Sequence, residues 1–185
     1  MPCHICRRTL FLQGEKHLKL TELFLADLER EAEKNRKTLE RVPLDRPDWK
    51  PHEKSMPLGY LAYLVATMPS WISMIVDSEE FDMRPGGKAP ERPPQPATTA
   101  ELLKALDDSV AKGREALNRT TDEHLMKNWR LLVAGHAVDD RPRHIVIQDA
   151  VFAHLAHHRG QLTVYLRLNE KPVPAIYGPS ADEAI

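Results

Sequence analysis

Residues 153–167 of the chain are Ala153-His154-Leu155-Ala156-His157-His158-Arg159-Gly160-Gln161-Leu162-Thr163-Val164-Tyr165-Leu166-Arg167. Three of the nine histidines fall here, within a segment free of proline. Ile147, Val151, His154, His158, Leu162 and Tyr165 step by three or four, so they share one line of a helix. His154 and His158 sit one above the other on that line, as two imidazoles do when a helix presents them to one metal ion. His157 falls about 60° to one side of His154, and Gln161 lies between the two directions.

The helix that carries this stretch begins near Pro142, a good first-turn residue, and runs to about Leu168. Asn169 is its expected C-cap, with Pro172 and Pro174 beyond it. A single histidine on an apolar stripe is ordinarily a hydrogen-bonded core residue. Two at i and i+4 need a common partner, because burying both imidazoles without one is unfavourable. A catalytic zinc centre nevertheless takes three protein ligands and a water, so the pair alone leaves metal and no metal both open.

Three more helices are predicted upstream. The first spans about Leu18 to Val42. Leu28, Ala32, Asn35, Leu39 and Val42 form its inner stripe, and the run Glu29-Arg30-Glu31 to Lys37 is expected to be a solvated face with a Glu33–Lys37 pair. The second begins near Pro57 with Ser55 as its N-cap. Its stripe is Leu61, Val65, Met68, Ile72 and Ile75, with Leu64 beside it, and Pro69 is expected to kink it without ending it. Pro85, Gly86, Gly87, Pro90, Pro93, Pro94 and Pro96 then make a stiff connection, long enough to cross a bundle; a domain boundary is disfavoured because neither half carries a core of its own. The third helix starts at Thr98 or Thr99, with Glu101 near N3 of a capping box and Leu103, Leu106, Val110, Gly113 and Leu117 inward. Trp129 to His144 is mixed and suggests a short hairpin or an irregular loop around Ala134-Gly135. The expected class is all-α: a four-helix bundle with one long Pro-rich crossover between the second and third helices.

Composition narrows the function. The chain has 185 residues, 42% apolar and 29% charged, with a formal net charge of -1. Length and apolar content fit one domain with a real core. Near-neutral charge provides no footprint for nucleic acid. No apolar run is expected to span a membrane and no signal peptide is expected, so a cytoplasmic location is predicted. Both cysteines lie in Cys3-His4-Ile5-Cys6, without the second Cys pair of a zinc site or the preceding strand of a thioredoxin-like one. Residues 1–17 are predicted to be a disordered extension and residues 18–185 the bundle.

The run from His154 to Arg167, followed by Val173-Pro174-Ala175-Ile176-Tyr177-Gly178-Pro179-Ser180-Ala181-Asp182-Glu183, resembles the DinB family of bacterial proteins. Arg36-Lys37-Thr38-Leu39-Glu40-Arg41-Val42-Pro43, Trp49-Lys50-Pro51-His52-Glu53-Lys54-Ser55-Met56 and Met68-Pro69-Ser70-Trp71 support the resemblance, which covers about residues 18–183. It implies a four-helix bundle, frequently a homodimer, that holds nickel or zinc on three histidines. Two of these match His154 and His158. The third comes from the second helix in a Leu-Gly-x-Leu-Ala-x-His pattern, where this chain has Leu58-Gly59-Tyr60-Leu61-Ala62-Tyr63-Leu64. The ligand position is therefore Leu64, which cannot coordinate a metal.

Tyr60 lies one turn before Leu64 and offers only a phenol with an ordinary pKa near 10. Tyr63 points about 100° away from Leu64. His157, His136 or a residue from a partner subunit are the remaining substitutes, while His52 is expected to order its own loop. Arg159 and Gln161 are expected to hydrogen-bond the second helix or the tail, or to orient His158. Ser180 lacks the G-x-S-x-G context of a hydrolase. Three functions remain: a metal-dependent transferase or hydrolase on His154 and His158, a small-molecule-binding bundle without chemistry, or a metal-free structural dimer. The substrate is not legible.

Overall fold

The computed structural model describes residues 18–89 and 93–184. The expectations for residues 1–17, including Cys3 and Cys6, lie outside these, as does Pro90 in the Pro-rich connection. Helix α1, Leu20–Leu39, buries Phe24, Leu28, Asn35, Thr38 and Leu39. Its start is capped from far along the chain: the Leu20 and Thr21 amides donate to the Asp122 carboxylate at 2.9 and 3.1 Å. A negative charge there also opposes the positive end of the helix dipole. Lys37 and Glu33 pair at 3.0 Å as expected. Glu31 departs from the expected solvated face. It is largely covered, because Arg159 of the last helix reaches over to pair with it.

Helix α2, Leu58–Thr67, passes through a 3-10 turn at Met68–Ser70 into α3, Trp71–Asp77. Leu61, Val65, Met68, Ile72 and Ile75 are all buried, so the stripe continues through Pro69. Pro69 has no N–H, and the freed polar groups are taken up by the next helix: Ser109 Oγ donates to the Thr67 carbonyl and accepts from the Ser70 amide, each at 2.8 Å. The residue capping α2 is Pro57, not Ser55. The Leu58 and Gly59 amides donate instead to the carbonyls of Trp49 and Pro47, so no Ser side chain is needed. The stretch Leu58–Asp77 is, against expectation, long and apolar enough to cross a membrane by length and composition. Its apolar stripe is turned into the core of this fold.

Helix α4, Thr99–Arg119, starts on the predicted box: Thr98 Oγ1 accepts from the Glu101 amide and Glu101 Oε2 from the Ala97 amide. Its buried residues include Leu102, where Leu103 was expected, because α1 and the α2–α3 rod flank it on two sides and widen the covered face. Helix α5, Asp122–Leu125, is a single turn.

The chain is not all-α. Strands β2, Asn128–Val133, and β3, His136–Pro142, form the antiparallel hairpin that the sequence left as hairpin or loop. Ala134 and Gly135 both have positive φ, 53° and 79°, as a two-residue primed turn requires. A third strand, β1, Glu80–Asp82, pairs in parallel with β2 and gives the order β1-β2-β3. The sequence did not announce it: three residues are too few to show a period.

The last helical rod has three consecutive parts: α6, Arg143–Val146, a π-helical stretch Ile147–Ala153, and α7, His154–Leu168. Pro142 ends β3 and stands at the N-cap of α6, one residue before the helix proper. Asn169 caps the other end, Glu170 is left-handed, and the Lys171 amide returns to the Leu166 carbonyl at 3.0 Å. This rod packs on α2 and α1, so a mostly helical body carries a small three-stranded sheet at one side.

Candidate functional site

The helix brings the three histidines of residues 154–158 together. The His154 and His158 rings are 4.4 Å apart between centroids. His157 is 5.1 Å from His158 and 6.4 Å from His154, and its side chain is exposed. His158 is buried, and its Nδ1–H donates to Gln161 Oε1 at 2.8 Å. That bond leaves the lone pair on Nε2. His154 is half-buried and begins α7, one residue after the π-helical stretch. Wide turns of this kind re-aim the side chains that follow them. Burial holds the His154 pKa below its ordinary value, and the neighbouring His158 and His157 push it the same way.

Among the described residues the donor set stops there. Leu64, at the position where a third ligand is expected, is an apolar side chain packed against the core. Tyr60 and Tyr63 are half-buried on the same helix. His136 lies at the hairpin turn, opposite Val133. His52 orders its loop, with its Nδ1 accepting from the Lys54 amide at 3.1 Å. Among the described residues, no group of three His, Cys, Asp or Glu side chains is placed to hold a metal ion. The described residues do not fit a three-ligand centre.

A cavity opens beside His154 instead. It encloses about 310 Å³ between α3, the sheet and the last rod. Its walls are apolar: Trp71 and Met74 from α3, Phe81 of β1, Met83 just beyond it, and Trp129 and Leu131 of β2. Two polar side chains reach it, His154 and Asp139. The Trp71 and His154 rings lie 5.9 Å apart. Asp139 is held by Arg141 through two parallel hydrogen bonds of 2.7 Å, and the guanidinium keeps its carboxyl below the ordinary range. Trp71 falls in one of the motifs quoted above and Trp129 in the hairpin segment. Nothing in the sequence indicated that they face one space, because strand β1 had no signal.

Arg159 and the tail serve structure. Arg159 hydrogen-bonds Glu31 and Asn35 of α1 and the Tyr177 hydroxyl, rather than the second helix. The tail returns to the helices through Arg167–Asp182 and Arg41–Glu183 pairs. Ser180 Oγ donates to the Val173 carbonyl and accepts from the amides of Asp182 and Glu183, so it stitches a turn.

No family model matches the chain, and no curated protein does. Solved structures do. A DinB-like protein from Bacillus cereus ATCC 10987 superposes with a TM-score of 0.62 at 22% identity, covering 83% of this chain and 95% of that one. A DinB-like protein from Bacillus subtilis gives 0.60 at 17% identity, over 82% and 95%. The chain therefore has the DinB-like fold.

Proposed function

We propose that this chain is a cytoplasmic, homodimeric, DinB-like four-helix bundle that binds a small molecule without a metal. One observation carries the reading: an apolar cavity of about 310 Å³ opens onto His154, whereas among the described residues no third donor joins His154 and His158. The cavity is at the lower end of the range for small-molecule sites, which are mostly apolar with a few fixed polar groups. A second reading keeps the metal. The 4.4 Å between the His154 and His158 rings favours it. It needs a third ligand from beyond the described residues, such as a partner subunit, to support transferase or hydrolase chemistry.

Metal analysis of untagged protein and a thermal-shift titration with nickel and zinc separate the two. The metal-free reading expects no bound metal, no shift in wild type, and a gained shift in Leu64→His, which supplies the missing imidazole. One metal per wild-type chain, with a shift lost in His154→Ala and His158→Ala, would overturn it.

A further inference from the structure

We propose that the cavity takes a neutral aromatic molecule of one or two rings bearing a hydroxyl group, with the hydroxyl on His154. This rests on the small-molecule reading above and adds the class of ligand. The walls set the shape of the ligand. Trp71, Phe81 and Trp129 offer ring faces and edges, and Met74 and Met83 offer pliable thioethers that pack well against rings. Phe81 is 43% and Met83 48% exposed overall and both line the cavity, so an apolar ligand there would cover part of the hydrophobic surface that now meets water.

Charge is excluded by pairing. Both carboxylate oxygens of Asp139 already accept from Arg141, whose remaining Nη1 donates to Asp149 Oδ2 at 2.7 Å. An ammonium would have to compete with that guanidinium, and a carboxylate would enter an apolar space with no free cation to meet it. The Trp129 indole N–H is likewise committed, to Ser78 Oγ at 3.1 Å. His154 remains as the polar group for the ligand. One ring N–H of His154 is donated to the Ala150 carbonyl, so the neutral imidazole keeps its other nitrogen as an acceptor, which a ligand hydroxyl complements as donor.

Isothermal titration calorimetry of the untagged full chain at about pH 8, where an ordinary imidazole is neutral, tests this with β-naphthol, β-naphthoate and β-naphthylmethylammonium. β-Naphthol is expected to bind at least about tenfold more tightly than either charged analogue. His154→Phe is expected to weaken β-naphthol about fivefold, the size of one neutral hydrogen bond. Met83→Glu, an exposed substitution compatible with folding, is expected to remove binding by placing a charge in the apolar wall. A charged analogue that binds as tightly as β-naphthol would overturn the neutral class and leave the cavity reading standing. Heat that is absent for all three probes, or insensitive to Met83→Glu, would overturn both.

Discussion

Arg143 is the residue on which the junction between sheet and helices depends. It is 0% exposed, yet it carries a charge that no neighbour could ignore. Its guanidinium donates to the carbonyls of Ile75, Ser78, Asn128 and, more weakly, Lys127, and pairs with Glu79 at 3.0 Å. It thus ties the end of α3, the approach to β1 and the start of β2 to the last rod, and these elements wall the cavity. Arg143→Met removes the fork and leaves buried carbonyls unpaired. Urea denaturation is expected to show a loss of about 3–5 kcal/mol. Arg143→Lys is expected to recover little of it, because an ammonium cannot span four carbonyls in one plane. The sequence offered no hint of this role beyond a charge following Pro142.

At the scale of elements, the contact between α4 and the 3-10 turn sets how closely two rods approach. A Cβ built on Gly113 would lie 2.8 Å from the Pro69 carbonyl oxygen, which is backbone and cannot swing away. Gly113→Ala would raise the helix propensity of α4 by about 1 kcal/mol. The clash is expected to win, with a net loss of about 1–2 kcal/mol in chemical denaturation and displaced packing of Leu28 and Ile72, whose side chains lie beside the same point. A gain in stability would show that the rods separate freely here. Gly113 stood on the predicted inner stripe, so its burial was legible. Its reason was not, because Pro69 meets it only after the α2–α3 rod has folded onto α4.

For the whole molecule, the Glu31–Arg159 pair joins the first helix, the last helix and the tail. Arg159 is 1% exposed. Burial pushes the Glu31 carboxyl up, but hydrogen bonds from Lys34 and Arg159 outweigh it and hold the group below its ordinary 4.5. A depressed carboxylate pKa contributes stability that is complete above the unfolded-state value and is lost as the pH falls through the folded one. The unfolding midpoint is therefore expected to drop as the pH falls below about 4.5. Glu31→Gln should be less stable than wild type by about 2 kcal/mol near neutral pH, where it leaves Arg159 buried without its charge partner. That gap should close in acid, where wild-type Glu31 is itself protonated. A gap that stays constant with pH would remove the pair from this role.

Although it left Ala134-Gly135 as a hairpin or a loop, the sequence by itself determined the helical rods, the Thr98 and Asn169 caps, and the pairing of His154 with His158 on one face. These are local properties: a period of 3.6 and a cap are each written within a few consecutive residues. Only the tertiary structure decided that β1 exists, that Glu31 is covered, and that Trp71, Phe81, Met83 and Trp129 surround one cavity beside His154. Each of those depends on partners far apart in the chain. Glu80 pairs with Arg130, and Glu31 meets Arg159 across 128 positions. The identity of neither residue specifies the other until packing of the apolar stripes has brought them together.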